Sequence, residues 1–234
     1  TADVEATLAA NGVAYHKIGK VTSTSSLQVK NNSDTLSFDI DHLRDVWFKT
    51  SYLLDKRQSG PVKAKERFDN YKNHVLKYNF PAQFDGKKPV IDTSKPRPKA
   101  AVIREKGSNS ERELANAMYL AGFDVKDVHM TDLIAGRETL EDIQFIGAVG
   151  GFSNSDVLGS AKGWAGAFMY NEKAKIALEN FFSRPDTLSV GICNGCQLFV
   201  ELGLINKDHA EKPKMLHNES GKHESIFTSL TLQE

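Results

Sequence analysis

The sequence predicts an α/β fold, a mostly parallel sheet flanked by helices, preceded by a small α+β segment and a linker. Three observations carry this expectation. From Lys99 onward, short apolar runs alternate with amphipathic helical patterns, the rhythm of strand, helix, strand. Two of those runs, Phe145 to Val149 and Thr187 to Ile192, lead into small-residue loops, Gly150-Gly151 and Gly191 to Gln197, where parallel sheets place their sites. Five of the seven prolines fall between Gly60 and Pro98, which sets the first 58 residues apart from the alternating region.

Taken in order, residues 1–58 form the α+β segment. A short helix over Val4 to Ala10 ends at Asn11-Gly12, where glycine accepts a left-handed C-cap. Leu27-Gln28-Val29 and Leu36-Ser37-Phe38 alternate around Asn31-Asn32-Ser33-Asp34, a hairpin signal with turn-forming side chains. Asp39 to Leu54 carries Leu43, Val46, Trp47, Leu53 and Leu54 at helical spacing, an amphipathic helix with one face to bury. One hairpin between two helices is a thin core, so the segment reads as the edge of a larger domain. Residues 59–98 form the Pro/Lys-rich linker, with at most one helix near Val62 to Leu76.

In the third part, residues 99–234, Ala100 to Arg104 is a strand. Ser108 or Ser110 can cap a helix with Leu114, Ala117, Met118 and Ala121 on one face, ended by Gly122. Phe123 to His129 is the next strand and Phe145 to Val149 a buried one. A helix from Glu172 to Phe182 stops before Pro185, Thr187 to Ile192 is a strand, and Gln197 to Leu202 is a helix ending at Gly203.

Composition narrows the function classes. Thirty Lys and Arg balance thirty Asp and Glu, which excludes nucleic-acid binding driven by bulk charge. No apolar run approaches the roughly 20 residues that cross a bilayer, and no charged-then-apolar leader opens the chain, so a cytoplasmic protein without membrane association is expected. A chain that starts at Thr1 and stops at Glu234 also reads as a piece of something larger.

Chemistry concentrates in the two loops. Gly191-Ile192-Cys193-Asn194-Gly195 has the G-x-C-x-G spacing of a nucleophile elbow, a strand-to-helix turn so sharp that small residues must flank its tip. The following helix aims its N-terminus at the thiol, and the Asn194 N–H is available to a developing oxyanion. Cys193 is therefore a candidate acyl-transfer nucleophile. The competing reading is a C-x-x-C pair, Cys193 with Cys196, acting as a dithiol redox module. A metal is not expected, because there is no second C-x-x-C and His209, His217 and His223 lack paired register. Gly150-Gly151-Phe152-Ser153 ends the other strand, where glycines let N–H groups converge on an anion; alone it is also compatible with an ordinary turn.

These residues support a resemblance. Gly191 to Gln197 resembles the G-x-C-x-G-x-Q signature of class I glutamine amidotransferases, a flavodoxin-like fold. With Arg104-Glu105, Gly107 to Ser110, Asp127 to Leu133, Gly150 to Ser153, Asp156 to Gly159 and Gly163-Trp164, the chain from about Pro96 to Ser225 is similar to the glutaminase domain of the large single-chain phosphoribosylformylglycinamidine synthases. Residues 1–58 resemble the end of the synthetase region that precedes it. The pattern departs from the family at Asn154 and Ser155, where tyrosine and glycine are usual.

The resemblance implies a ligase in purine biosynthesis that hydrolyses glutamine through a cysteinyl thioester and passes the ammonia to an ATP-dependent amidation of formylglycinamide ribonucleotide. It implies roles for Gly151, Phe152 and Asn194 at the oxyanion, for Gln197 in holding glutamine, and for Asn218 and Ser220 in lining the same pocket. Glutamine and the remainder of the polypeptide are then the partners. No cofactor is expected in this chain, with ATP and Mg expected in the synthetase region. The family's histidine and glutamate come as an H-x-E pair far downstream of the cysteine. His209-Ala210-Glu211 has the letters but sits among Lys207, Asp208, Lys212 and Pro213, so the true pair is expected beyond Glu234 and the isolated chain is expected to turn over little glutamine.

Overall fold

The computed structural model describes residues 2–73, 78–80, 82–87, 90, 94–225 and 229–230. The chain divides into two units, one formed by residues 1–77 with 218–234 and the other by residues 78–217. Part of the expected linker (74–77, 81, 88–89 and 91–93) lies outside the described residues.

In the first unit, α1 (Ala2–Ala10) precedes an antiparallel hairpin of β1 (Ser26–Asn31) and β2 (Asp34–Asp39), paired from Ser26 with Asp39 to Asn31 with Asp34. Asn32 turns the corner with φ 53°, a left-handed conformation that asparagine tolerates. The Asp39 carboxylate accepts the His42 N–H at 2.7 Å and so caps α2 (Ile40–Gln58).

The amphipathic pattern of α2 forms the expected helix, but none of its residues is buried, and Trp47 is 80% exposed. The difference has a simple cause: helical spacing reports that a face is apolar, and burial depends on a partner surface. What α2 does meet is α3 (Pro61–Asn70), the helix allowed for in the linker, which starts with proline at its first turn. Tyr52 stacks on Phe68 with centroids 4.7 Å apart, and Arg67 pairs with Asp55 at 2.8 and 3.0 Å. Arg44 lies over the rings of Phe48, Phe68 and Tyr71.

The second unit is built on a four-stranded parallel sheet in the order β5 (Asp124–His129), β3 (Lys99–Arg104), β6 (Phe145–Ala148), β8 (Leu188–Gly191). Ala100 to Ile103 of β3 are all buried, the continuous apolar run of a strand covered on both faces. From β3 the chain moves to β5 on one side, and from β6 to β8 on the other. The topological switch point therefore lies between β3 and β6, whose carboxyl ends open the loops that carry the site.

Helices α4 (Glu111–Leu120), α7 (Glu172–Ser183) and α8 (Asn194–Glu201) follow the expected pattern, α8 starting three residues earlier than periodicity indicates. Ser110 occupies the position before α4, but at φ 75° and with no capping bond from its side chain, so the expected serine cap is absent. Gly122 closes α4 at φ 102°.

Two helices were not expected. In α5 (Met130–Ala135), the His129 ring accepts the Thr131 N–H while the Asp132 carboxylate accepts the His129 N–H, a reciprocal cap. In α6 (Lys162–Met169), Trp164, Ala165 and Phe168 enter the core beside Ala174, Leu178 and Phe181 of α7 and Leu198 of α8. Among the described residues no helix is long and apolar enough to cross a membrane.

Asp55 of the first unit gives a pH dependence. Arg67 hydrogen bonds first, then those from Lys222 and Ser59, hold its carboxyl well below the usual carboxylate range against the opposing effect of burial. A group depressed on folding stabilises above its unfolded value, about 3.9, and loses that contribution as pH falls below it. Unfolding midpoints of wild type and Asp55→Asn should therefore differ at pH 6 and converge as pH is lowered from about 4. A gap that stays constant across that range would show that the ion pair does not contribute.

Candidate active site

Three loops from adjacent strands meet at the carboxyl edge of the sheet. The register sets them: Ala148 at the end of β6 pairs with Gly191 at the end of β8, and Ile192 donates to the Ala148 carbonyl at 3.0 Å. One residue later Cys193 turns the chain with φ 54° and ψ −108°, and α8 begins at Asn194. A non-glycine residue in that conformation is strained, which is the backbone signature of an elbow that lifts a nucleophile.

The flanking glycines are required by space. A Cβ on Gly191 would lie 2.6 Å from the Gly195 carbonyl oxygen, and one on Gly195 would overlap the Ala148 carbonyl, 2.6 Å from its carbon. Both lie well inside any real contact, so α8 can start against β6 only with hydrogen at these positions. Cys193 is exposed, Cys196 half-buried, and both thiols are free. A dithiol pair places no such demand on Gly191 and Gly195.

Opposite the thiol runs Gly150-Gly151. A Cβ on Gly150 would meet the Cys193 Cβ at 3.4 Å and its Sγ at 4.0 Å, so this backbone stands directly beside the cysteine. Gly150–Gly151 form β7, which pairs antiparallel with β4 (Ser108–Asn109) of the loop after β3. Gly151 faces Ser108, and the bond flanking that pair runs from Phe152 N–H to the Gly107 carbonyl at 3.0 Å. In such a ladder the residue between hydrogen-bonded positions points its own N–H away from the partner strand. The N–H of Gly151 is thereby directed away from β4.

Of the backbone groups expected near the oxyanion, the N–H of Phe152 is bonded to Gly107, that of Gly151 points away from β4, and Asn194 is the first residue of α8. The same loop requires Gly107, because a Cβ there would strike the Phe152 carbonyl oxygen.

Beyond Phe152 the two departures from the family pattern, Asn154 (φ 52°) and Ser155 (φ 56°), adopt left-handed backbone, as does the matching Asp156 (φ 51°) that follows them. Asp156 closes this turn, accepting the Ala161 N–H at 3.1 Å on its carboxylate. A contact that sequence reading did not anticipate ties this loop to the elbow. The Asn194 side chain, 1% exposed, accepts the Ser153 N–H at 3.1 Å and donates to Gln197 Oε1 at 2.9 Å. No pattern within seven residues of Cys193 announces a bond to a residue 41 positions away.

Cys193, Asn194, Gln197, Gly151 and Phe152 thus belong to one constellation in the second unit. Asn218 and Ser220 belong to the first unit, where each donates from its side chain to the Lys222 carbonyl, at 2.9 and 3.4 Å. His209 is exposed, and its ring accepts the Glu211 N–H at 3.1 Å within its own loop. Among the described residues no side chain hydrogen-bonds the Cys193 thiol and no group of His, Cys, Asp and Glu is arranged to hold a metal.

Other resembling residues turn out to be scaffold. Arg104 at the end of β3 donates to both oxygens of Asp127 at 2.7 and 3.0 Å, and His129 with Asp132 caps α5. Replacing Gly195 by alanine tests the steric account: the variant should lose about 3 kcal/mol of unfolding free energy in the second unit. A loss below about 1 kcal/mol would mean that the contact between α8 and β6 is looser than described.

Residues 97–234 match the CobB/CobQ-like glutamine amidotransferase domain. A probable phosphoribosylformylglycinamidine synthase, chloroplastic/mitochondrial, of Arabidopsis thaliana is 41% identical over 239 residues, covering 97% of this chain and 17% of that protein. The phosphoribosylformylglycinamidine synthase of Homo sapiens is 40% identical over 215 residues, 86% of this chain and 16% of its own length. The structure of PurLQS from Thermotoga maritima aligns with 30% identity over 47% of each chain and a TM-score of 0.40. The chain spans about a sixth of the length of the curated relatives it matches. The family model and the two curated relatives agree with the elbow and its partner loops, and the chain belongs to the CobB/CobQ-like glutamine amidotransferase domain family.

Proposed function

We propose that this chain is the glutaminase portion of a phosphoribosylformylglycinamidine synthase. The observation that carries the reading is the strained backbone of Cys193, standing beside Gly150 at the head of α8. The Cys193 sulfur attacks the side-chain carboxamide carbon of glutamine, and the carbonyl electrons move onto oxygen. The N–H groups of Gly151 and Asn194 face that oxyanion, a preorganised pair that costs no reorganisation as charge develops. The amide nitrogen takes up the proton that the thiol gave up and, as the intermediate collapses, leaves as ammonia, so the glutamyl thioester remains. Water then adds to the thioester, releasing glutamate and restoring the thiol. Gln197 holds the amino acid.

The general base is proposed to lie outside the described residues, because of the two H-x-E runs the one at His209 is folded on itself and in the other, His217-Asn218-Glu219, the glutamate is paired with Lys63 at 2.6 Å. The ammonia would serve the ATP-dependent amidation of formylglycinamide ribonucleotide, with ATP and Mg held by the part of the relatives' length that this chain does not span. The names of the two relatives support that assignment. Two free cysteines support a reducing compartment such as the cytoplasm.

A chloroketone analogue of glutamine tests the reading, since Cys193 sulfur would displace chloride and form a stable thioether. Mass spectrometry should find one adduct, on Cys193, suppressed by excess glutamine, unchanged in Cys196→Ser and in His209→Ala. Equal modification of Cys196, or labelling that glutamine does not suppress, would remove the assignment in favour of a dithiol pair.

A further inference from the structure

We propose that Asn194 is a positioning residue that fixes which end of the Gln197 carboxamide is offered to substrate. The N–H of Ser153 fixes the polarity of the groups that follow it. A backbone N–H can only donate, so the Asn194 atom 3.1 Å from Ser153 N is its carbonyl oxygen. The other end of the same amide is then NH2, which can only donate, and the Gln197 atom it meets at 2.9 Å is therefore Oε1. Gln197 is left with its NH2 at the free end.

Turning Asn194 over would set NH2 against the Ser153 N–H and leave a donor unpaired where both residues are 1% exposed, the costly outcome for a buried polar group. The orientation thus passes from the loop after β6, through Asn194, to Gln197 on α8. Gln197 reads an acceptor oxygen of the bound amino acid and rejects a donor in its place. This deepens the glutaminase reading and rests on it.

Asn194→Asp and Asn194→Ala separate orientation from packing. The Asp side chain is nearly isosteric and still accepts the Ser153 N–H, but it cannot donate to Oε1, so Gln197 turns to offer it NH2 and presents oxygen to substrate. The Ala variant leaves Gln197 free to take either orientation. With the glutamine chloroketone, the half-saturating concentration should rise about tenfold in Asn194→Asp and by less, about threefold, in Asn194→Ala. Maximal inactivation rates are to be divided by each variant's rate with iodoacetamide, which reports thiol reactivity without amino-acid binding and corrects for the added charge.

A residue that merely packs gives the opposite order, Ala worse than Asp, and that result overturns the proposal. So does an Asn194→Asp variant that saturates like wild type, a comparison that still decides if the Ala variant does not fold. If wild type reacts with iodoacetamide yet never saturates with the chloroketone, the glutaminase reading itself fails and this inference falls with it.

Discussion

The closeness of α8 to the end of β6 is the constraint on which the site depends. Because Gly195 has no side chain, the first turn of the helix can rest on the Ala148 carbonyl, and because Gly191 has none, the chain can double back within two residues. Cys193 must then absorb the change of direction in its own backbone, and it does so at positive φ. The strain is held by the parallel pairing of β6 with β8 below and by the burial of Leu198 and Phe199 above, so the sheet and the core together maintain the thiol's exposure. The loop after β6 is fixed to the same frame by Asn194, so Cys193 and the Gly150-Gly151 backbone cannot drift apart independently.

Much of this was readable in the residues, and the parts that were not have identifiable causes. Strands β3 and β6 of the second unit showed as apolar runs because strands covered on both faces have nothing polar to alternate with. The elbow showed because sterics demand glycine at two fixed offsets. Helix α6 did not, since Gly163 and Gly166 lower its intrinsic propensity, and what holds it is the burial of Trp164 and Phe168 against distant segments. Helix α5 is six residues long and rests on a cap made by histidine, a residue outside the usual capping set. The apolar stripe of α2 predicted the helix correctly and its burial incorrectly, because periodicity carries no information about whether a partner is present.

The residues of the family resemblance divide by what they do. Gly107, Gly151, Gly191 and Gly195 allow backbones to approach one another; Arg104 and Asp127 tie the ends of β3 and β5 together; His129 and Asp132 cap α5; and Cys193, Asn194, Gln197 and the N–H of Gly151 are the groups to which the proposed function gives chemistry. Most of a recognisable signature here is therefore architecture. Cysteine at an elbow needs little chemistry from neighbouring side chains to be identified, but it needs a great deal of neighbouring shape.

The two tryptophans of the chain give it a built-in pair of optical reporters. Trp47 stands 80% exposed on α2, and Trp164 is fully buried in α6. One indole sits in water and the other in hydrocarbon, so their emission separates by wavelength and by access to an aqueous quencher such as iodide. Each unit carries one of them. Fluorescence of the unlabelled protein can therefore follow the opening of the amidotransferase core separately from any event that covers the apolar face of α2.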